Sequence, residues 1–510
     1  MENQEVTAIP PEKVEEAQVV VRSAHRRTSF AGNLAWRAVA NWSSQLFSWA
    51  SLLVLVRVLA PSDFGIVAMC AVLYAHLRFV SEFGIPTTVV TLRTLTDEDL
   101  AQLNSVGVLF GLCGFTLACA LAWPAAIFFK TPKLVGVVIV TCLALIPQGM
   151  RSVPEGLLNK EMRFKLLSLF DAGRDLTSAI VTVVLALMGF GFWALVLGNL
   201  SATVLRSTAI LISRPFRYAW PKLEQVRKSV VFSWHVFVSI LAWSTYNSLD
   251  NITAGRVLGQ AALGLYGMAW TIANTPLEKV VSLVTTIVPS YLASVQKEPA
   301  ALRRYLSTLT EALALITFPT TIGLALVARE AVPLIFGKKW VGAIVPLEIL
   351  CVYAAFRSVV ALLPKLLTAV GNARFVMRVE TSALVLMGTA FYVGSHWGIS
   401  GIAFGWVVAY PFVAFPLYWK TFKTIEMPVS DYIRALRPGL DGSIAMATGV
   451  GLVKWGMPSS LPMWLRLATE IAAGAFVYAA VVFTVHRARA MNFWHLARRG
   501  RRPKLAPATT

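Results

Sequence analysis

The chain has 510 residues, of which 56% are hydrophobic and only 14% are charged. This composition excludes an ordinary soluble globular protein and leaves little room for a soluble domain beside membrane spans. The net charge of +20 is spread over short basic clusters between apolar runs, which favours membrane surfaces over nucleic acid as the charged partner. The five cysteines lie in apolar segments without CxxC spacing, so we expect neither disulfides nor a bound metal.

Apolar runs follow one another from residue 34 to residue 485. A transmembrane helix needs roughly 20 apolar residues, so the chain is predicted to be an all-α polytopic membrane protein with about fourteen transmembrane helices. The predicted spans are 34–60, 63–91, 101–129, 134–150, 166–189, 191–212, 229–253, 262–292, 304–328, 342–367, 375–395, 399–419, 433–455 and 464–485. Basic residues concentrate on one side of this topology, which places both termini in the cytoplasm.

A short motif occurs twice at a constant offset of 199 residues. The first copy is Arg57-Val58-Leu59 with Phe64-Gly65-Ile66 and Met69, and the second is Arg256-Val257-Leu258 with Leu263-Gly264-Leu265 and Met268. Both copies join an outward-going helix to an inward-going one, so the repeat is parallel. Parallel repeats are a common transporter plan, and this one predicts two six-helix lobes followed by two C-terminal helices.

The repeat and the charge pattern together predict the domain organisation. It consists of a cytoplasmic polar tail at 1–33, an N-lobe at 34–212, a basic cytoplasmic linker at 213–228, a C-lobe at 229–419, two appended helices at 420–485 and a basic cytoplasmic tail at 486–510.

Polar side chains inside the predicted spans are candidates to line a hydrated cavity. On the first span they recur at helical spacing, and the seventh span carries a similar stripe in the repeat frame. The cavity-lining candidates are Asn41, Gln45, Ser48, Asn247 and His76. The alternative for the stripes is helix packing through interhelical hydrogen bonds, and for His76 it is a hydrogen-bonded packing role.

Cations inside the spans are more informative, because a charged side chain at mid-bilayer costs roughly 2.5–3.5 kcal/mol on insertion scales. The candidates to bind a substrate are Arg78, Lys279, Arg357 and Arg174. Carboxylates lie close in sequence to most of them, although not to Arg357, and structural ion pairs are the alternative explanation. The carboxylates Glu82, Asp171, Asp175, Asp250 and Glu278 are candidates to respond to a coupling ion.

Motifs typical of enzymes are absent from the sequence. There is no P-loop, GxSxG or HExxH, so we expect neither an ATP-driven engine, nor a cofactor, nor an enzyme. Asp97-Glu98-Asp99 superficially matches the DxD of metal-dependent sugar transferases. It follows Thr96 and opens an apolar helix, so we predict that it caps that helix.

The junction motifs resemble those of a transporter family. Arg57-Val58-Leu59-Ala60-Pro61 with Asp63-Phe64-Gly65, then Phe83-Gly84, looks like the first hairpin of Wzx-type polysaccharide transporters, within the multidrug, oligosaccharidyl-lipid and polysaccharide exporter superfamily. Asp250 with Gly255-Arg256-Val257-Leu258-Gly259, Leu263-Gly264 and Tyr266 looks like that family's seventh-to-eighth junction. Two later segments, Phe336-Gly337-Lys338-Lys339-Trp340 and Ala369-Val370-Gly371-Asn372, also fit. The resemblance covers residues 30–420 and assigns no binding residue position by position.

This resemblance implies a carrier in the bacterial inner membrane. Its cargo would be an undecaprenyl-pyrophosphate-linked oligosaccharide, moved from the cytoplasmic to the periplasmic leaflet by alternating access, with membrane lipids and polysaccharide polymerase and co-polymerase proteins as partners. The midplane cations would bind the pyrophosphate. The alternatives are a cation-coupled drug antiporter of the same superfamily and, less favoured, an integral-membrane polysaccharide polymerase or ligase.

Overall fold

The computed structural model describes residues 47–82, 84–91, 95–220, 244–295, 298–458 and 460–487. Within these ranges the chain consists of helices and short connections, without a β-strand. The predicted all-α architecture is therefore confirmed.

The helices of the first half begin with a short apolar helix that ends at a proline-containing turn. They are α1 (Phe47–Val58), α2 (Pro61–Glu82), α3 (Ile85–Thr91), α4 (Asp97–Phe128), α5 (Leu134–Cys142), α6 (Leu145–Lys160), α7 (Phe164–Leu187) and α8 (Phe192–Ser213).

The helices of the second half include two of the longest in the described chain. They are α9 (Leu249–Thr253), α10 (Gly259–Val295), α11 (Pro299–Ala331), α12 (Ile344–Val360), α13 (Leu363–Ala369), α14 (Ala373–Gly394), α15 (Gly398–Thr424), α16 (Val429–Gly456) and α17 (Met463–Val485). A π-helical turn, Ala254–Leu258, joins α9 to α10. A second π-helical turn, Val332–Phe336, and a 3₁₀ helix, Lys338–Ala343, join α11 to α12.

Eight segments among the described residues are long and apolar enough to cross a membrane. They are Pro61–Glu82, Asp97–Phe128, Leu134–Lys160, Phe192–Ser213, Pro299–Phe336, Lys338–Ala369, Ala373–Thr424 and Met463–Val485. The chain is thus a multi-pass membrane protein. About fourteen spans remains a prediction, because parts of the spans predicted at 34–60 and 229–253 lie outside the described residues.

Several predicted spans are broken or extended in the structure. The span predicted at 63–91 is interrupted at Gly84, whose φ of 71° ends the regular helix. The span predicted at 342–367 divides into α12 and α13, and a proline in the first turn of α13 favours a new helix start. The span predicted at 134–150 divides into α5 and α6 and extends to residue 160, with Arg151 paired to Glu155 one turn along α6.

The start of α4 confirms the capping role predicted for the acidic run. The backbone N–H of Thr96 donates to Asp99 Oδ2 at 3.0 Å, and the N–H of Asp99 donates to Thr96 Oγ1 at 3.2 Å. This reciprocal pair satisfies donors that a helix start leaves unpaired. The acidic run is therefore a helix cap.

The described residues form two compact units. One contains residues of the ranges 47–55, 77–120 and 138–220, and the other contains residues of 56–76, 121–137 and 244–487. Inside the first unit, Gly107 of α4 lies directly against Gly149 of α6, where a Cβ on Gly149 would stand 2.3 Å from the Gly107 carbonyl oxygen. Such small-residue contacts bring helix backbones close together, as is usual in membranes.

Candidate functional site

Arg357 lies in the last turn of α12 and has mainly neutral partners. Its Nη1 donates a hydrogen bond of 3.0 Å to Asn274 Oδ1, and its guanidinium lies 5.9 Å from the centre of the Trp270 ring. Its carboxylate neighbour, Glu278, is 4.0 Å away, at the outer limit of an ion pair, and its side chain is 62% exposed. A guanidinium carries several N–H donors, so Arg357 keeps donors available for an anionic oxygen.

Helix α10 supplies the partners of Arg357 from one face. Tyr266, Trp270, Asn274 and Glu278 follow one another at intervals of four residues, which places them along a single stripe of the helix. Asn274 is buried, whereas Glu278 is exposed. The stripe therefore runs from a buried aromatic end to an exposed acidic end, and Arg357 contacts its middle.

Asp250, on the short helix α9, is a completely buried carboxylate held by neutral donors. Its Oδ2 accepts hydrogen bonds from the Tyr266 hydroxyl at 2.8 Å and from Trp406 Nε1 at 3.2 Å. Its Oδ1 accepts bonds from the backbone N–H and the side-chain amide of Asn251, at 2.7 and 3.0 Å. None of the described cations lies within ion-pair distance of it, so its charge is stabilised by dipoles alone.

An aromatic cluster contacts both Asp250 and Arg357. It consists of Trp270, Tyr353, Phe391, Trp406 and Tyr410. Trp406 is its centre, with ring centroids 4.6 Å from Tyr353, 4.9 Å from Phe391 and 5.3 Å from Trp270. Trp406 donates to Asp250, and Trp270 lies against the guanidinium of Arg357, so the cluster contacts both charged side chains.

The first unit contains an arginine whose partners are carboxylates, in contrast to Arg357. We name the group of Arg206, Asp171, Glu155 and Arg151 the Arg206 network. Arg206 of α8 contacts Asp171 of α7, with Nε to Oδ1 at 2.7 Å. It also contacts Glu155 of α6, with Nη2 to Oε1 at 2.8 Å. Glu155 in turn pairs with Arg151, one helical turn earlier on α6. Two cations and two carboxylates therefore balance each other and join three helices.

The remaining charged candidates have varied surroundings. Arg174 pairs with its neighbour Asp175 at 3.1 Å, and its side chain is 49% exposed. Arg78 is exposed and lies 5.4 Å from the Phe79 ring, and no ion pair joins it to the half-buried Glu82. For Lys279, the structure describes the backbone of α10 but not the side chain.

The cavity-lining candidates are described only in part. His76 Nδ1 lies 2.6 Å from the Val72 carbonyl oxygen and its Nε2 lies 3.1 Å from Thr245 Oγ1. Nδ1 donates to the carbonyl oxygen, and Nε2 and the Thr245 hydroxyl form the second hydrogen bond. Ser48 is exposed and Asn247 is half-buried. Asn41 and Gln45 lie outside the described residues.

Several residues described above were not among the candidates predicted from the sequence. They are Tyr266, Trp270, Asn274, Tyr353, Trp406 and Tyr410 around Arg357 and Asp250, with Glu155 and Arg206 in the other unit. A signal was present, because Tyr353 and Arg357, and likewise Trp406 and Tyr410, are four residues apart and share a helix face. No group of His, Cys, Asp and Glu suited to a metal ion occurs in the described chain.

Comparisons with known proteins agree with this architecture. The chain is 25% identical over 386 residues to the lipopolysaccharide biosynthesis protein WzxC of Escherichia coli (strain K12), covering 73% of this chain and 77% of that protein. It is 24% identical over 409 residues to an uncharacterized membrane protein in the cps region of Klebsiella pneumoniae, covering 78% of this chain and 84% of that protein.

A solved structure shares the fold. The lipid II flippase MurJ, in an inward closed conformation, superposes with a TM-score of 0.71 at 13% identity, covering 89% of this chain and 99% of MurJ. The sequence profile of the family described as polysaccharide biosynthesis protein matches residues 54–345, which is more than half of the chain. The chain therefore belongs to this polysaccharide biosynthesis protein family, as the resemblance to Wzx-type transporters predicts.

Proposed function

We propose that this protein moves undecaprenyl-pyrophosphate-linked oligosaccharide repeat units across the bacterial inner membrane, from the cytoplasmic to the periplasmic leaflet, by alternating access. The observation that carries the proposal is the state of Arg357, a cation inside a membrane-spanning segment that has one neutral hydrogen-bond partner and only a distant carboxylate. Membership of a polysaccharide biosynthesis family supports a saccharide cargo. The fold supports a transporter rather than an enzyme.

The chemistry of Arg357 suits a pyrophosphate. A phosphate that enters a membrane protein loses hydration, and charge-assisted hydrogen bonds from a planar guanidinium replace it in a fixed geometry. Asn274 and Trp270 hold the guanidinium without neutralising it. The pyrophosphate of the cargo then supplies the missing negative charge. No existing ion pair of Arg357 has to break before the cargo binds.

The other candidates complete the proposal. Arg78 and Lys279 would add cations along the path, and Arg174 would contribute less because Asp175 already pairs with it. Asp250 is the favoured ion-coupling residue, since a carboxylate held only by neutral donors can accept a proton or a cation without losing an existing ion pair. The two six-helix lobes, the cytoplasmic termini and the polymerase and co-polymerase partners also belong to this proposal.

Replacement of Arg357 tests the function directly. In a strain that lacks the chromosomal gene, Arg357→Gln should reduce surface polysaccharide at least about tenfold, a loss equivalent to about 1.4 kcal/mol of cargo binding. Arg357→Lys should retain partial export because it keeps the charge but not the planar fork. The lipid-linked repeat unit should accumulate in the membranes of the Gln variant.

The matched control is Arg329→Gln, which removes an arginine whose side chain is 71% exposed and paired with Glu348. It should leave export unchanged at equal protein abundance. Normal export by Arg357→Gln would refute cargo binding at Arg357. If deletion of the gene instead abolished efflux of cationic drugs and left polysaccharide intact, the antiporter alternative would be correct.

A further inference from the structure

The Phe336-Gly337-Lys338-Lys339-Trp340 motif has contacts that cargo binding does not explain. Lys339 Nζ donates to the carbonyl oxygens of Arg57 at 2.9 Å and Leu59 at 2.5 Å. The indole Nε1 of Trp340, a completely buried side chain, donates to the Val56 carbonyl oxygen at 2.9 Å. These oxygens lie at the carboxyl end of α1, where helix carbonyls have no partner within the helix.

Arg57 makes the reciprocal contacts. Its Nε donates to the Ile335 carbonyl oxygen at 2.9 Å, and its Nη2 donates to the Leu334 carbonyl oxygen. Those carbonyls belong to the π-helical turn that follows α11, which ends at Gly337 with a φ of 99°. Each of two helix ends, one from each half of the sequence, is therefore capped by a cation from the other.

Helices α2 and α10 cross at glycine residues. A Cβ on Gly65 of α2 would stand 1.7 Å from the Gln260 carbonyl oxygen, and one on Gly264 of α10 would stand 1.8 Å from the Pro61 carbonyl oxygen. Residues 61 and 260, like 65 and 264, are related by the repeat offset of 199. The two copies of the repeat thus contact each other reciprocally, as a local two-fold axis requires.

We propose that Arg57, Lys339 and Trp340 form a releasable latch, named here the capping latch, which joins the end of α1 to the connection between α11 and α12, beside the Gly65–Gly264 crossing. The latch would lie on the side that the basic-residue pattern assigns to the outside and would open when the transporter exposes its binding site there. This proposal concerns the motion of the protein and is independent of the cargo.

The chemistry of the capping latch suits reversible release. Both cations are exposed and bind neutral carbonyl oxygens, so water can replace each hydrogen bond when the segments separate. Among the described residues neither cation is within ion-pair distance of a carboxylate, so opening breaks no ion pair there. The glycine crossing lets the backbones approach closely without side chains that would have to interdigitate again on closing.

The test uses a variant whose five native cysteines are replaced and in which Leu59→Cys serves as reporter. Leu59 is 3% exposed and lies beside the latch. A membrane-impermeant maleimide should therefore label a cysteine at this position slowly. The labelling is done on intact cells that have no permeability barrier outside the inner membrane. Adding Lys339→Met should accelerate labelling at least about fivefold. Lys339→Arg should keep labelling slow, because its guanidinium can still donate to the same carbonyls.

Two matched controls accompany this measurement. Lys338→Met removes the neighbouring exposed lysine, which has no hydrogen bond to the described residues, and should leave labelling unchanged. Gly264→Val should accelerate labelling, whereas Gly267→Val, on the same helix with nothing within 4 Å, should not. Both valines carry the same intrinsic helix cost, so only the crossing distinguishes them.

The outcomes are decisive whichever cargo is carried. Unchanged labelling in Lys339→Met, at normal abundance and with a monodisperse profile in detergent, overturns the latch. Equal acceleration by Lys338→Met also overturns it, because loss of surface charge would then suffice. If Gly264→Val does not accumulate, the lysine pair still decides the question. The proposed cargo fails separately, through normal export by Arg357→Gln.

Discussion

The Arg206 network and the surroundings of Arg357 are two arginine sites within membrane-spanning helices, and they are built from opposite partners. Arg206 contacts two carboxylates within 2.8 Å, and its side chain is 10% exposed. Arg357 contacts an amide and an aromatic ring, with its carboxylate 4.0 Å away. A compensated cation stabilises helices, whereas one with spare donors is suited to a ligand. Hydropathy alone cannot separate the two.

The largest expected effect is on stability, at the compensated site. Arg206→Met leaves Asp171 without its cation, so the free energy of unfolding should fall by about 3 kcal/mol, the lower end for a buried pair because the Asp171 side chain is 41% exposed. Protein abundance and the thermal midpoint in detergent measure this, and export should decline only as abundance does. Arg206→Met combined with Asp171→Asn should recover most of the loss, since Arg151 still pairs with Glu155. A wild-type midpoint for the single variant would contradict the structural role of the network.

The next largest effect on stability is expected at Asp250, because every donor that binds its carboxylate needs an acceptor oxygen. Asp250→Asn keeps one acceptor oxygen, which cannot serve both the Tyr266–Trp406 pair and Asn251. The unsatisfied groups should cost about 1–3 kcal/mol of stability. The thermal midpoint measures this, and Asp175→Asn, which removes an accessible carboxylate, should change it little. Equal midpoints for both variants would show that the Asp250 hydrogen bonds are energetically unimportant.

Asn274→Asp would give Arg357 a close carboxylate partner, as Arg206 has. The new carboxylate would lie at hydrogen-bond distance from the guanidinium, so stability should be unchanged or slightly higher. Export should nevertheless fall about tenfold, a loss of about 1.4 kcal/mol in cargo binding, because the spare charge is neutralised. Asn274→Gln, which keeps an amide, should retain more export than Asn274→Asp. Undiminished export by Asn274→Asp would remove the distinction between the two arginine sites.

Arg174→Gln should have the smallest effect. The side chain is half-exposed and, among the described residues, forms an ion pair with the adjacent Asp175 alone, so the expected change in stability is below about 1 kcal/mol. Its export should exceed that of Arg357→Gln when surface polysaccharide is compared at matched abundance. A loss of export as large as that of Arg357→Gln would show that the ion pairs in the structure do not predict how much each arginine contributes to export.

Much of the fold could be predicted from local sequence. The helical class, the helices from Pro61–Glu82 onward and the capping of α4 follow from apolar run length and from residue types at helix starts. Helix breaks were harder to predict, since the span predicted at 63–91 looks continuous by hydropathy. The break at Gly84 depends on a backbone dihedral that hydropathy does not encode.

The sequence by itself determined that the chain spans a membrane, that a short motif recurs at an offset of 199, and that Arg357 has no carboxylate near it along the chain. Only the tertiary structure decided the partners. It pairs Asp171 with Arg206 rather than Arg174, and it brings Asn274 to Arg357 across 83 residues. It also places Lys339 on carbonyls 280 and 282 residues earlier. The spacing of apolar residues and the distribution of charged residues can be read from local sequence. The partner of a polar side chain in a membrane depends instead on which helix faces meet in the fold.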